Sequence, residues 1–473
     1  MGAFAACSGV RSPEEATADG SALPAESGAD DPLEDAGTRD FDLAADTRVV
    51  DLGHADADAD ATVDAAIPST WGELPELCPD PVEYDAVEPN AFELISVAGG
   101  WVVGRGRPRS GSPDVLGVLD PMTTYDVAVG SVYRYDSTGR SHVVYNSGRA
   151  YGYEFWQRPS ERGIMFAFES GPRYDAPGCG EEDDRGAAMV AFEVDDSVEP
   201  WAFRALGCKA YGVSWDRDLV TDTDGDGLPE VLAVRFPSLD ELNPDGTFTE
   251  LWQGVWRGEY PARYFENVSL ASTDLDGDGY AEFSVSATFA EGPPELISRG
   301  AFRIMEYEPA VGYVVRFQAI APFYVPYWQA SGDVDGDGQP EFLYGGPADN
   351  CRWLGFYHAI ANDTYALKWS GAFNDPEGYE INEARMGDTD GDGDDEVILP
   401  SGCHVRVLEW NGGRLVQVGD IPVGEHCAEP DAFAADLDGD GADEIVVTTY
   451  WVSLEHSVDP TGVAVWKRRR TTP

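Results

Sequence analysis

A nine-residue stretch holding four carboxylates and two glycines recurs five times in the second half of this 473-residue chain. The copies run Asp222-Thr-Asp-Gly-Asp-Gly-Leu-Pro-Glu230, Asp274-Leu-Asp-Gly-Asp-Gly-Tyr-Ala-Glu282, Asp333-Val-Asp-Gly-Asp-Gly-Gln-Pro-Glu341, Asp388-Thr-Asp-Gly-Asp-Gly-Asp-Asp-Glu396 and Asp436-Leu-Asp-Gly-Asp-Gly-Ala-Asp-Glu444. Successive first aspartates lie 52, 59, 55 and 48 residues apart. A repeat near fifty residues is one supersecondary unit, too small to bury its own apolar face, so it must stack on its neighbours.

The flanks say what the unit is. Each Glu is followed by an apolar run, such as Val231-Leu-Ala-Val or Ile445-Val-Val. Then come two alternating runs joined by a polar turn, as in Val405-Arg-Val-Leu-Glu-Trp, Asn411-Gly-Gly, Leu415-Val-Gln-Val. Asn-Gly between alternating segments is a hairpin signal. With the strand that leads into each loop, every repeat has four antiparallel strands, the blade of a β-propeller. Two further blades without the acidic loop can be read upstream. One uses Tyr151–Trp156, Gly163–Phe168, Ala188–Glu193 and Trp201–Leu206; the other uses Phe92–Val103, Val115–Leu119, Val132–Tyr135 and His142–Tyr145. The expected fold is therefore all-β, a seven-bladed propeller over residues 81–473. The last repeat runs out at Val463-Ala-Val-Trp-Lys. An open edge invites aggregation, so a segment before Phe92, around Val82 to Val87, is expected to complete that blade.

The loop places carboxylates at positions 1, 3, 5 and 9: Asp222, Asp224, Asp226 and Glu230; Asp274, Asp276, Asp278 and Glu282; Asp333, Asp335, Asp337 and Glu341; Asp388, Asp390, Asp392 and Glu396; Asp436, Asp438, Asp440 and Glu444. Position 7 can add a backbone carbonyl, from Leu228, Tyr280, Gln339, Asp394 or Ala442. So many hard oxygen donors suit calcium, which takes six to eight of them, better than magnesium, which keeps its waters. The glycines at positions 4 and 6 allow the backbone to turn sharply about an ion. Without a cation the carboxylates would repel one another. An EF-hand needs a Glu at position 12, where these repeats have Ala233, Val285, Tyr344, Leu399 and Val447. The expectation is about five calcium ions, each clipping a hairpin.

These loops resemble the FG-GAP or VCBS repeat family, whose best-known members form the propeller of integrin α subunits. The resemblance covers about residues 90 to 473. It implies a calcium-ligand role for the four carboxylates of each loop. Two departures stand out: the Phe-Gly and Gly-Ala-Pro phrases are mostly absent, with Gly345-Gly-Pro347 the nearest echo, and all five loops carry Glu at position 9, where the family often has Asp.

Charge narrows the partners. The formal net charge is -56, from 87 acidic and 31 basic residues, a balance that repels nucleic acid and anionic membrane. Residues 1–90 contribute 22 acidic and 3 basic side chains and include His54-Ala-Asp-Ala-Asp-Ala-Asp-Ala61. Residues 1–80 are read as a disordered acidic tether, because so little apolar surface cannot offset chain entropy. Met-Gly-Ala-Phe-Ala-Ala-Cys7 resembles the end of a bacterial lipoprotein signal, which would place a lipid anchor at Cys7 and the chain at the cell surface or outside the cell. No run of eighteen apolar residues spans a membrane.

Six more cysteines fit an oxidising compartment. In a propeller the loop after strand 2 and the start of the next strand 1 lie together. That predicts Cys179–Cys208 and Cys403–Cys427, leaving Cys78–Cys351. A zinc or copper site from Cys403, His404, His426 and Cys427 is the rival to the second bond. No catalytic signature stands apart from the acidic loops. The leading function is a monomeric binding or adhesion module for a protein or glycan. A polysaccharide lyase or hydrolase and a structural matrix protein are the alternatives. The face opposite the loops, with Tyr324, Tyr327, Trp328, Trp353, Tyr450 and Trp451, is the expected binding surface. Lys467-Arg-Arg-Arg470 reads as a charged edge.

Overall fold

The computed structural model describes residues 91–99, 101–106, 113–119, 130–135, 141–146, 150–156, 162–170, 176–179, 187–198, 201–210, 219–233, 238–253, 272–287, 301–320, 328–348, 351–373, 384–423, 430–449 and 462–469. All belong to the compact unit Thr62–Pro473. The tether expected over 1–80, Cys7, Cys78 and the segment Val82–Val87 lie outside them.

After β1 (Phe92–Gly99), the strands β2 (Trp101–Gly106), β3 (Val115–Leu119), β4 (Gly130–Tyr135) and β5 (Ser141–Asn146) pair in chain order as one sheet. The same meander repeats in β6 (Ala150–Trp156), β7 (Ile164–Ser170), β8 (Ala187–Asp195) and β9 (Ala202–Ala210). It recurs in β10 (Leu219–Thr221), β11 (Glu230–Ala233), β12 (Ser238–Leu242) and β13 (Phe248–Gln253). Next come β14 (Ser272–Thr273), β15 (Glu282–Ala287), β16 (Ala301–Glu308) and β17 (Gly312–Ile320), then β18 (Trp328–Gly332), β19 (Glu341–Ala348), β20 (Cys351–Ala361) and β21 (Thr364–Phe373). A sixth meander has β22 (Arg385–Gly387), β23 (Glu396–Ser401), β24 (His404–Trp410) and β25 (Leu415–Pro422). The last sheet joins β26 (Pro430–Ala435), β27 (Glu444–Thr449) and β28 (Gly462–Arg468) to β1. Among the described residues there are seven four-stranded antiparallel sheets, and their arrangement is that of a β-propeller.

Apolar clusters join each sheet to the next, because both faces of these strands are covered. Val115 and Val132 meet Tyr153 and Met165; Phe166 and Met189 meet Val231 and Leu242; Leu232 and Leu239 meet Phe283 and Met305. Phe302 and Ile304 then meet Tyr344 and Trp353, Leu354 and Phe356 meet Val397 and Leu408, and Ile398 and Val405 meet Ile445 and Val447. Leu116 of β3 packs on Phe433, Val446 and Val465 of the last sheet. The circuit is closed.

The closing strand is β1, not the segment expected before Phe92. Its register with β28 runs from Phe92↔Arg468 to Gly99↔Gly462. Phe92–Val103 is therefore not one strand of an upstream blade; the chain changes sheet between Gly99 and Trp101. Sequence pattern cannot separate the two, since the apolar alternation is the same whichever sheet the segment joins.

Candidate metal centres

Every acidic loop is the turn of a hairpin whose flanks pair in one register: Thr221↔Glu230, Thr273↔Glu282, Gly332↔Glu341, Gly387↔Glu396 and Ala435↔Glu444. The position-9 Glu thus opens the second strand, and it is buried in all five loops. One of its oxygens, Oε2, accepts the backbone N–H of position 2: from Thr223 at 2.5 Å, Leu275 at 2.8 Å, Val334 at 2.9 Å, Thr389 at 2.7 Å and Leu437 at 2.8 Å. The position-5 Asp accepts the N–H of position 7 in each loop, at 2.7–3.1 Å. The position-1 Asp gathers N–H groups from the glycine turn; Asp388, for example, accepts from Gly391 at 2.6 Å, Asp392 at 3.2 Å and Gly393 at 3.0 Å. That turn needs glycine, since positions 4 and 6 are left-handed in every loop, as at Gly277 (φ 79) and Gly279 (φ 101).

The carboxylates converge. Ligand oxygens of Asp222, Asp224, Asp226 and Glu230 lie within 4.8 Å of one another. Positions 1, 3 and 9 converge likewise at Asp274, Asp276 and Glu282, at Asp333, Asp335 and Glu341, and at Asp388, Asp390 and Glu396. Burial pushes Glu230 up to about 8, and Glu282 and Glu396 up to about 7. It also raises Asp222, Asp224, Asp276 and Asp390. Crowded, dry carboxylates resist ionisation unless a cation joins them.

What meets the free oxygen of the position-9 Glu differs from loop to loop. Glu230 Oε1 is buried with no hydrogen-bond partner, as are Asp222 Oδ1 and Asp276 Oδ1. Glu282 Oε1 accepts the hydroxyl of Tyr365 on the next sheet. Glu341 Oε1 lies 2.6 Å from Lys368 Nζ, which is also 2.5 Å from Asp335. Glu444 Oε1 lies 2.6 Å from Lys467 Nζ, itself 2.7 Å from Asp438 and 3.0 Å from Asp440. Glu396 Oε1 lies 3.3 Å from Arg468, which also reaches Asp390 at 2.9 Å. Lys467 and Arg468 are not a charged edge: both turn inward onto loop carboxylates. Burial pulls the Lys368 and Lys467 ammoniums down, but the hydrogen bonds they donate to the loop carboxylates more than offset it and hold both above the ordinary lysine range.

Positions 7 and 8 have a role the repeat pattern hid, facing the loop before. Tyr280 lies 3.8 Å from where a side chain on Gly225 would begin, Ala442 lies 3.3 Å from the same point on Gly391, and Asp394 closes over Gly336. In two loops position 8 is an Asp that clasps the preceding sheet. Asp395 donates its N–H to the carbonyl of Asp333 at 2.7 Å and accepts the Asp333 N–H at 2.8 Å. Asp443 donates to the Asp388 carbonyl at 2.6 Å. Asp114, just before β3, completes the series on Asp436 at 2.8 and 3.1 Å.

Away from the loops, Cys179 is bonded to Cys208. Cys403 is also disulfide-bonded, which removes it from any zinc or copper set; Cys427 and His426 lie outside the described residues. His404 instead pairs with Asp420 at 2.8 Å. Trp353 is a correction: it is fully buried between β14–β17 and β18–β21 and offers nothing to a partner. Tyr324, Tyr327, Tyr450 and Trp451 lie outside the described residues, as does the side chain of Trp328. A polar cleft of 370 Å³ opens between β6–β9 and β10–β13, lined by Arg162, Glu193, Arg204, Asn243 and Asp245.

Residues 388–447 match the FG-GAP-like repeat family, a stretch that starts at the first ligand of one acidic loop and ends just beyond the next. No curated protein matches the chain. Among solved structures, a catalytically inactive virginiamycin B lyase from Staphylococcus aureus with quinupristin aligns at 9% identity and TM-score 0.43, covering 80% of this chain and 99% of that one. A rhamnogalacturonan lyase aligns at 14% identity and TM-score 0.35, covering 80% of this chain and 68% of that one.

Proposed function

We propose that this propeller, with its FG-GAP-like repeat, is a calcium-stiffened binding module displayed outside the cell, presenting a rigid surface to a protein or glycan. We read the seven sheets as seven blades of one ring. The observation that carries the metal reading is Glu230, wholly buried with Oε1 unpartnered amid Asp222, Asp224 and Asp226. A buried carboxylate oxygen left without a partner is costly, and a hard divalent cation is the partner this donor set fits. Bound there, calcium would supply the positive charge that lets the four carboxylates ionise together. Asp222, Asp224, Asp226 and Glu230 would hold it, and Asp274, Asp276 and Glu282 would hold a second.

The partner role rests on the described polar cleft, whose Arg162, Arg204 and Asp245 suit a hydrogen-bonding ligand. The Cys179–Cys208 bond favours an oxidising compartment, which agrees with export and a lipid anchor at Cys7. Calorimetric titration tests the metal: binding in the micromolar-to-millimolar range of extracellular modules is expected, with loss at the first loop in Asp224→Ala. No heat from calcium, and a melting temperature unmoved by chelator, would refute it. A glycan and protein array, with Arg204→Ala as control, tests the partner. Turnover on a polysaccharide panel would favour an enzyme instead.

A further inference from the structure

We infer that three of the five acidic loops carry their own cation and take no calcium: Lys368 fills the loop at Asp333, Lys467 the loop at Asp436, and Arg468 the loop at Asp388. The inference rests on the calcium reading of the loops at Asp222 and Asp274 and divides the repeats between the two kinds of cation.

The argument is one of occupied space. A calcium ion sits 2.3–2.6 Å from each ligand oxygen. Lys467 Nζ lies 2.7 Å from Asp438, 3.0 Å from Asp440 and 2.6 Å from Glu444. These are the ligands of positions 3, 5 and 9, so the ammonium stands where the ion would. Lys368 Nζ holds positions 3 and 9 of its loop at 2.5 and 2.6 Å, with Asp337 of position 5 at 3.9 Å. Arg468 Nη1 lies 2.9 and 3.3 Å from the ligands of positions 3 and 9 of its loop, an ion pair without a hydrogen bond, while Nη2 donates to Glu409 at 3.2 Å. Two like charges cannot share one such cage. The lysines are well sheltered, with side chains 15% and 18% exposed. Asp335 Oδ1 stays without a hydrogen bond, but Asp335 Oδ2 and Glu341 Oε1, which an ion would need, are held by the ammonium.

Among the described residues, no lysine or arginine enters the loops at Asp222 and Asp274. Strand β13, the outer strand of the first, carries no lysine or arginine. Arg316, the fifth residue of β17 as Lys368 is of β21, stands beside the loop but directs its charge to Glu306 and Asp363, at 3.1 and 2.8 Å, not to the loop carboxylates; Asp363 in turn gives its N–H to Asp276 at 2.8 Å. The neutral hydroxyl of Tyr365 reaches Glu282 instead. The two cations of β28, the strand that closes the ring on β1, serve adjacent sheets, so the seam is fastened without metal. Calcium then tightens β10–β17 only.

The test is calcium titration of the full chain and its variants. Wild type is expected to bind about two ions. Lys368→Met, Lys467→Met and Arg468→Met should each add one, whereas Lys368→Arg should add none. Hydrogen exchange covers the case of a variant that does not fold. In wild type, chelator should speed exchange in 219–233 and 272–287 and leave 328–348, 385–401 and 430–449 unchanged. Five ions in wild type, unaltered in the methionine variants, overturn this inference and leave the calcium reading standing. No binding in wild type or in any variant overturns both. Protection lost equally in all five hairpins on chelation also overturns it.

Discussion

The boundary between β14–β17 and β18–β21 and the boundary between β18–β21 and β22–β25 join the same kinds of strand by different means. At the first, aromatic rings fill the gap: Phe302 lies 4.0 Å from Tyr344 and 5.2 Å from Tyr357, centroid to centroid. The hydroxyl of Tyr365 reaches back to Glu282. Tyr313 does the same one sheet earlier, meeting Thr223 at 2.8 Å. Each tyrosine is the second residue of an outer strand. At the second boundary Trp410 also meets Phe356 and Trp369, at 6.2 Å each, but an aspartate clasp at position 8, Asp395 onto Asp333, is added. The loop at Asp333 has Pro340 at that position, which has no N–H to give. The difference teaches that the four carboxylates make the repeat, while residues between and beyond them decide how it is braced.

The largest test of this contrast is pH, applied to protein kept in chelator. Glu230, Glu282 and Glu396, raised by burial to about 8, 7 and 7, hold protons in the folded chain that the unfolded chain releases near 4.5. Between pH 4.5 and 8 the folded state binds more protons, so stability should fall as pH rises through that window. Calcium, which needs ionised ligands, should flatten or reverse the slope. Denaturant midpoints at five pH values measure it; a rising midpoint in chelator would contradict the burial of these carboxyls.

Phe302→Ala comes next, with an expected loss of about 3–5 kcal/mol for a large ring removed from a packed core. An unfolding free energy lowered by under 1 kcal/mol would show that the aromatic boundary is not tightly packed. Asp395→Ala should cost about 1.5–3 kcal/mol, since it strips the Asp333 N–H of a charged acceptor. Gly332→Ala should move stability the same way, because its Cβ would sit 2.3 Å from Asp395 Oδ2. If Asp395→Ala is silent while Gly332→Ala is not, the clasp is only a steric fit. Smallest is Tyr365→Phe, about 1 kcal/mol for one lost hydrogen bond. It should weaken stability without changing calcium stoichiometry, whereas Glu282→Gln should change both.

The hairpins and the loop were legible because each depends on local chemistry: alternation sets the strands, and paired glycines between carboxylates set the turn. Three of the four strands of β6–β9 were readable to within two residues for the same reason, while β9 runs four residues past the Leu206 expected to end it. Other features depend on residues distant in sequence. Lys467 reaches Glu444 across 23 residues and Arg468 reaches Glu409 across 59, so nothing in the run Lys467-Arg-Arg-Arg470 reveals its targets. Trp353 looked available because it follows the second strand of its repeat and reads as a loop residue, yet it lies within β20 and stacked blades bury its ring. Position 8 did leave a trace, the Asp-Asp-Glu and Ala-Asp-Glu endings of the last two loops. That trace is masked by the ligands around it, since one more aspartate in so acidic a loop carries no mark of its own.

The pairing of β1 with β28 has a mechanical side. Phe92 lies opposite Arg468, and the Arg469 N–H bonds the Ala91 carbonyl at 2.8 Å. The two chain directions therefore leave the seam at the same corner. Tension applied between residues 91 and 469 would load one hydrogen bond at a time and peel the strands apart from that corner. A pull on residue 91 resisted from a distant blade would instead shear the whole ladder at once. The same seam is weak or strong according to where the load is carried.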